Sequence, residues 1–310
     1  MIVSQPGILS SKRREFISPY TWTSRTPGAI SSAMRGVGYD GSTYWTAVNA
    51  ATAGTSDLIT STDAITWTIQ ETALNNMRDI DNDGTTWTTV GDSGYMLTAT
   101  DPTATWTSRT SGFGATGIQG VFWDGTTYWL AMGSSGTLTT ATDPTGTWTS
   151  RTSSFGADFC RSCAFDGTTY VMVGGAGKLA TATDPTGTWT QRTSSFGATD
   201  IRYVAYSPTL DLFCAVGASG KIGTAAGSDT TSWTQRTSPF GGGSIDTTVQ
   251  WDATENLFVV VTNSSEIGLS QDGITWHLDT GGFANMWDLK YGDGFLVVVG
   301  DGPTIKTSFS

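Results

Sequence analysis

Arg35, Arg78, Arg161 and Arg202 stand at matching positions of a chain that repeats itself, and Gln119, Thr247 and Trp287 fill the same position in the other repeats. A guanidinium is a planar, permanently charged fork that grips carboxylates, phosphates or sulfates through paired hydrogen bonds. Four of them around one opening make an electropositive ring inside a 310-residue chain whose formal net charge is −11. Two readings are open. Arg35, Arg78, Gln119, Arg161, Arg202 and Trp287 form a binding site for an anionic ligand, or each arginine pairs with carboxylates and carbonyls of a neighbouring repeat.

Other chemistry has less to stand on. His277 is the only histidine and occupies a position that is Thr in most repeats. There is no nucleophile elbow, no phosphate-cradling loop and no cluster with metal-ligand spacing. No catalytic residue, no metal and no cofactor are therefore expected, and the chain reads as a non-enzyme. Cys160 and Cys163 have C-x-x-C spacing, but they align with Met34, Met77, Ile118 and Ile201 and with Val37, Ile80, Val121 and Val204. With Cys214, in an apolar run, they are expected to be core residues. A second column, Arg25, Arg109, Arg151, Arg192 and Arg236, follows the repeat tryptophan by three residues and is expected to be structural.

The elements that must position the first column follow from the tryptophans of the Thr-Trp-Thr repeat and its variants. Trp22, Trp67, Trp106, Trp148, Trp189, Trp233 and Trp276 are separated by 45, 39, 42, 41, 44 and 43 residues. A period of about 42 residues holding several short strands is that of a β-propeller blade. In one repeat, strands are predicted near 160–165, 169–174, 177–183 and 187–193. They are divided by Asp166-Gly167, by Gly174 to Gly177 and by Asp184-Pro185-Thr186-Gly187, the residue types that tight turns require. The fold class is all-β: a seven-bladed β-propeller of four-stranded antiparallel blades, one domain over 20–310 preceded by an arm at 1–19. The arginine column begins the innermost strand of each blade and so faces the mouth of the central channel.

Six of the seven tryptophans follow an Asp by four or five residues, and Trp22 does not. The chain also ends on a strand with no partner after it. The segment around Trp22 is therefore predicted to be the outer strand of the last blade, closing the ring. Phe113, Phe155, Phe196, Phe240 and Phe283, between consecutive repeats, are expected to plug the gaps between blades.

The turn aspartates Asp63, Asp101, Asp143, Asp184, Asp229 and Asp272, with the Trp that follows each, resemble the Asp-box (BNR) repeat, Ser/Thr-x-Asp-x-Gly-x-Thr-Trp. The resemblance implies a hairpin between the third and fourth strands in which the Asp caps the turn and the Trp packs into the blade. Sialidases share that fold, but the glutamates here occupy no recurrent inner-strand position. The tandem form Trp-Thr-x-Arg-Thr-Ser-x-Phe-Gly is similar to repeats of bacteriophage and other viral structural proteins. That resemblance implies a tail-associated or capsid-surface protein, made in the host cytoplasm without a signal peptide and carried on the virion. Other virion proteins would be met through residues 1–19 and its Lys12-Arg13-Arg14-Glu15, and a host surface glycan on the loop face. An alternative is similarity to the photosystem II assembly proteins, seven-bladed rings with an arginine patch on inner strands. The acidic balance argues against nucleic acid, and no stretch is long and apolar enough for membrane insertion by a helix.

Overall fold

The computed structural model describes residues 16–25, 30, 32–43, 45–50, 56–240, 248–279, 285–301 and 304–309. Lys12, Arg13, Arg14, Glu15, Thr247, Phe283 and most of the loop after Asn49 lie outside the described residues.

Seven four-stranded antiparallel sheets follow one another around a ring. In each, strands a to d run from the channel outwards. The a strands are Ala33–Tyr39, Met77–Asn82, Ile118–Trp123, Cys160–Phe165, Ile201–Ser207, Val249–Asp252 and Met286–Gly292, which number blades 1 to 7. Blade 4 continues with Tyr170–Gly174, Leu179–Ala182 and Thr190–Arg192, close to the predicted limits.

The ring closes as expected. Thr21–Arg25 is strand d of blade 7 and pairs with Thr304–Phe309, Trp22 opposite Ser308. Residues 16–20 continue the seam onto blade 6. Phe16 stacks on His277 with centroids 4.2 Å apart, Ser18 Oγ donates to Asp279 at 2.5 Å, and Tyr20 Oη donates to the buried Asp252 at 2.7 Å.

The core lies between blades. The b strands are its centre, as in Leu257–Val261, where every residue is buried because both faces are covered. Phe113, Phe155, Phe196 and Phe240 are buried at the joints. Phe155, for example, joins Leu130 and Met132 of blade 3 to Met172 of blade 4. Cys160, Cys163 and Cys214 are buried free thiols in the same layers, and burial pushes the Cys160 thiol up to about 12.

The outer hairpins explain the Thr-Trp-Thr repeat. Asp63 Oδ1 accepts the backbone N–H groups of Ile65 and Thr66 at 2.8 and 2.7 Å, and Asp272 does the same for Ile274 and Thr275. Asp101, Asp143 and Asp184 accept from Thr103, Thr145 and Thr186 at 2.8 Å. Asp229 opens strand d of blade 5 and binds Thr231 N–H at 3.0 Å. The indole N–H of Trp106, Trp148 and Trp189 returns to the carbonyl of Pro102, Pro144 and Pro185 at 3.1–3.2 Å, locking turn to strand.

The second arginine column has a uniform structural role. Nε of Arg25, Arg109, Arg151, Arg192 and Arg236 donates to a Thr hydroxyl of strand c: Thr307, Thr98, Thr140, Thr181 and Thr224, at 2.7–2.9 Å.

Candidate functional site

Each described member of the inner column sits at an irregularity of its strand. Pairing between strands a and b skips one residue at Arg35, Arg78, Gln119, Arg161, Arg202 and Trp287, so each is the extra residue of a β-bulge. A bulge leaves its extra residue out of the ladder and re-aims its side chain. Repeated around the ring, it turns six side chains toward the axis. The structure brings all six together with Tyr203, lining a cavity of about 90 Å³ at one mouth of the channel. Thr247 falls outside the described residues.

The turns between strands b and c stand on this same face. In blades 2 to 5 the central pair is Ser93-Gly94, Ser135-Gly136, Ala176-Gly177 and Ser219-Gly220, both residues at positive φ. This is the mirror-image turn that suits strand twist. Small residues also permit the close approach of the inner strands. A Cβ at Gly120 would overlap the carbonyl oxygen of Arg161 in the next blade.

The electrostatics are uneven around the mouth. Arg78 Nε donates to Asp92 at 2.6 Å, and its guanidinium reaches Gln119 Oε1 at 3.5 Å. Burial raises Asp92, but hydrogen bonds from Arg78 and Asn76 and the Arg78 charge hold it below the usual carboxylate range. Arg202 lies 3.4 Å from Asp200. Arg35 is stacked 3.6 Å above the ring of Trp287, whose indole N–H donates to Asp301 at 2.6 Å. Desolvation lowers the Arg35 pKa; the charges of Arg78 and Arg161 lower it further, and Asp301 opposes them. Arg161 lies 5.3 Å from the centroid of Tyr203, and its buried Nε has no hydrogen-bond partner among the described residues.

Of the two readings, pairing with carboxylates is seen at Arg78 and Arg202, with one change. Asp92 and Asp200, the carboxylates that pair with arginines of the column among the described residues, belong to the arginine's own blade, not to the neighbouring repeat. Asp92 lies in the b–c turn, which returns to the start of strand a in the same antiparallel sheet, and Asp200 immediately precedes strand a of its own blade. What remains is a rim where three arginines interact as like charges.

The sequence reading missed the channel lining beyond the mouth. Asp79, Asp81, Asp288 and Lys290 line a second, wider cavity of about 500 Å³. Asp79 Oδ2 accepts Val121 N–H at 2.9 Å, Asp81 Oδ2 accepts Trp123 N–H at 2.9 Å, and Asp288 Oδ2 accepts Val37 N–H at 3.0 Å. Each bond crosses from one blade to the next. Burial pushes the Asp79 carboxyl up to about 7; the Val121 N–H opposes the shift and the Asp81 charge adds to it. Burial and then the charge of Asp79 hold Asp288 well above the carboxylate range. The Asp81 carboxylate, 3.3 Å away, raises Lys290 against its desolvation. Their signal was a polar residue one or three places after the column, where simple strand alternation gives no reason to seek a pair.

No protein-family model matches the chain, and no curated protein matches it. Solved structures do. One described as YCF48 bound to D1 peptide is 14% identical over 96% of this chain and 98% of its own, with a TM-score of 0.72. YCF48 from Cyanidioschyzon merolae is 16% identical over 92% of this chain and 98% of its own, with a TM-score of 0.71. At these identities the likeness is one of fold. The expectation of a virion attachment protein is corrected by these matches: the ring is built like a YCF48 propeller, and the tandem motif that suggested a virus consists of the residues that cap turns, cover strand c and plug blades. Those are packing duties that any such ring must perform.

Proposed function

We propose that this chain is a non-enzymatic binding propeller whose arginine-lined mouth holds an anionic segment of a partner polypeptide, as an assembly factor would. The observation that carries the reading is the convergence of Arg35, Arg78, Arg161 and Arg202 on one small cavity, with Arg161 Nε buried and unbonded among the described residues. A carboxylate entering there would accept two guanidinium forks and relieve their mutual repulsion. The small volume suits a chain terminus or a single acidic side chain better than a folded domain. A solved relative with a D1 peptide bound gives a precedent in the same architecture. The acidic balance of the whole chain supports a protein partner over nucleic acid.

The test is a titration with a short acidic peptide carrying a free C-terminal carboxylate, its C-terminal amide, and the D1 peptide. Arg161→Ala combined with Arg202→Ala is expected to weaken the free-acid peptide at least about tenfold, in line with loss of charge-assisted pairs. The melting temperature should hold, since both side chains face the channel. Equal affinity of wild type and double variant would overturn the proposal.

A further inference from the structure

The channel has a second mouth, and its chemistry is the reverse of the first. The wider cavity opens where strand a ends, on the face that carries the a–b and c–d turns. Arg161 and Tyr203 line both cavities, so the two meet at that level. Beyond it the walls change. Asp81 pairs with Lys290 at 3.3 Å, Arg161 stands at the floor, and Asp79 and Asp288 add two buried carboxyl groups. Above them Trp123, Phe165, Tyr206 and Trp251, each half-buried at the end of its strand a, form an aromatic collar. Each ring is backed by an aromatic of its own strand b: Trp129, Tyr170, Phe213 and Phe258, at centroid separations of 4.1–5.5 Å.

Outside the collar the a–b turns add charge. Asp40, Asp83, Asp166, Asp211 and Asp293 each lie in one, with Asp211 and Asp293 exposed. The outer c–d turns carry aspartates as well: hydrogen bonds from the Thr145 and Thr186 hydroxyls and then backbone N–H groups hold Asp143 and Asp184 below the ordinary carboxylate range, and backbone N–H groups hold Asp63 and Asp272 there against their burial. One face of the disc is therefore negative around a cavity with aromatic walls and Asp81 within. A cavity of about 500 Å³ is within the usual range of small-ligand sites, and aromatic faces over carboxylates favour organic cations.

The geometry points to a binding site at this second mouth for an organic cation, an alkylammonium on a flexible chain. The ammonium passes the collar and rests against Asp81, sharing that carboxylate with Lys290, while its methylenes lie on Trp123, Phe165 and Trp251. The ring of turn aspartates draws it in and makes the association sensitive to salt. A free polyamine and a lysine side chain of a partner peptide present the same chemistry. A neutral sugar would use the rings but gain nothing from the field of the turn aspartates.

Isothermal titration of the full chain at low salt tests this, with spermidine, a short lysine-rich peptide and a neutral disaccharide as probes. Spermidine is expected to bind one to one with a dissociation constant below about 1 mM. Asp81→Asn should weaken it at least about tenfold. Asp211→Asn with Asp293→Asn, exposed turn positions where Asn accepts positive φ, should weaken it about threefold with an unchanged melting temperature. Binding of the lysine peptide but not spermidine, with the same loss in Asp81→Asn, assigns the ammonium to a polypeptide. Absence of binding by both cations, indifference to Asp81→Asn, or tighter binding of the disaccharide would overturn the assignment. Arg35→Ala with Arg202→Ala, which line the arginine mouth but not this cavity, should leave spermidine binding within about twofold. That separates this site from the arginine mouth, whose failure or success is read with acidic peptides.

Discussion

Two carboxyl groups inside the channel, Asp79 and Asp288, set an expectation for stability against pH. Asp79 is pushed up to about 7 by burial, with Asp81, Asp288 and Lys290 as its charged neighbours. A folded-state pKa above the unfolded value of roughly 3.9 means that the folded protein binds the extra proton across that window. The stability it contributes is full below about pH 4 and is lost as the pH rises through about 7. The turn aspartates have the opposite sign. Asp63, Asp101, Asp143, Asp184 and Asp272 are held low, so their contribution is present above about pH 4 and fades below it. The melting temperature should peak near pH 5 and fall toward pH 8. Asp79→Asn, which keeps an acceptor for Val121 N–H, should remove at least about half of that alkaline fall. Thermal scans across the range check it, and an identical slope in the variant would mean that burial of Asp79 is relieved by other means.

At the scale of elements, the seam is where a prediction has most force. Strand Thr21–Arg25 and the residues before it tie the start of the chain to blades 6 and 7. Tyr20→Phe removes the hydroxyl from Asp252, a carboxylate only 1% exposed, and should cost about 1–3 kcal/mol. Deleting residues 1–25 should cost more, because it also bares the edge of Thr304–Phe309 and invites edge pairing between copies. Denaturant melts and sedimentation read both. A deletion variant as stable as Tyr20→Phe, with the wild type's sedimentation coefficient, would contradict closure by the N-terminal strand. This seam was legible in the sequence, since Trp22 lacks the turn Asp that accompanies the other six tryptophans. The strands and hairpin turns were legible for the same reason: seven copies of one local chemistry average out the ambiguity of any single copy. The bulges were not. A bulge leaves no composition signal in Met34-Arg35-Gly36 or Ile118-Gln119-Gly120, and appears only when strand a is laid against strand b. The column was readable from register, whereas its aim into the channel, and the addition of Tyr203, came from the ladder.

The whole molecule is a ring with two unlike mouths. Each blade repeats the same sheet, yet the bulge residues gather arginine at one end while strand-a ends and turns gather aromatic and acidic groups at the other. The separation follows from strand direction alone. All seven a strands run the same way through the channel, so a residue type favoured at their start accumulates on one face. The tandem motif spoke for packing rather than for a partner, which is why it misdirected the functional expectation toward a virion while identifying the fold. The central claim is that the arginine face is the one that meets the partner. Hydrogen-exchange footprinting of the full chain with a saturating acidic peptide tests it most directly. Protection is expected at Arg35, Arg78, Arg161 and Arg202 and in the adjoining turns at 92–94 and 175–177, with the c–d turns unchanged; protection confined to the opposite, acidic face would contradict the account.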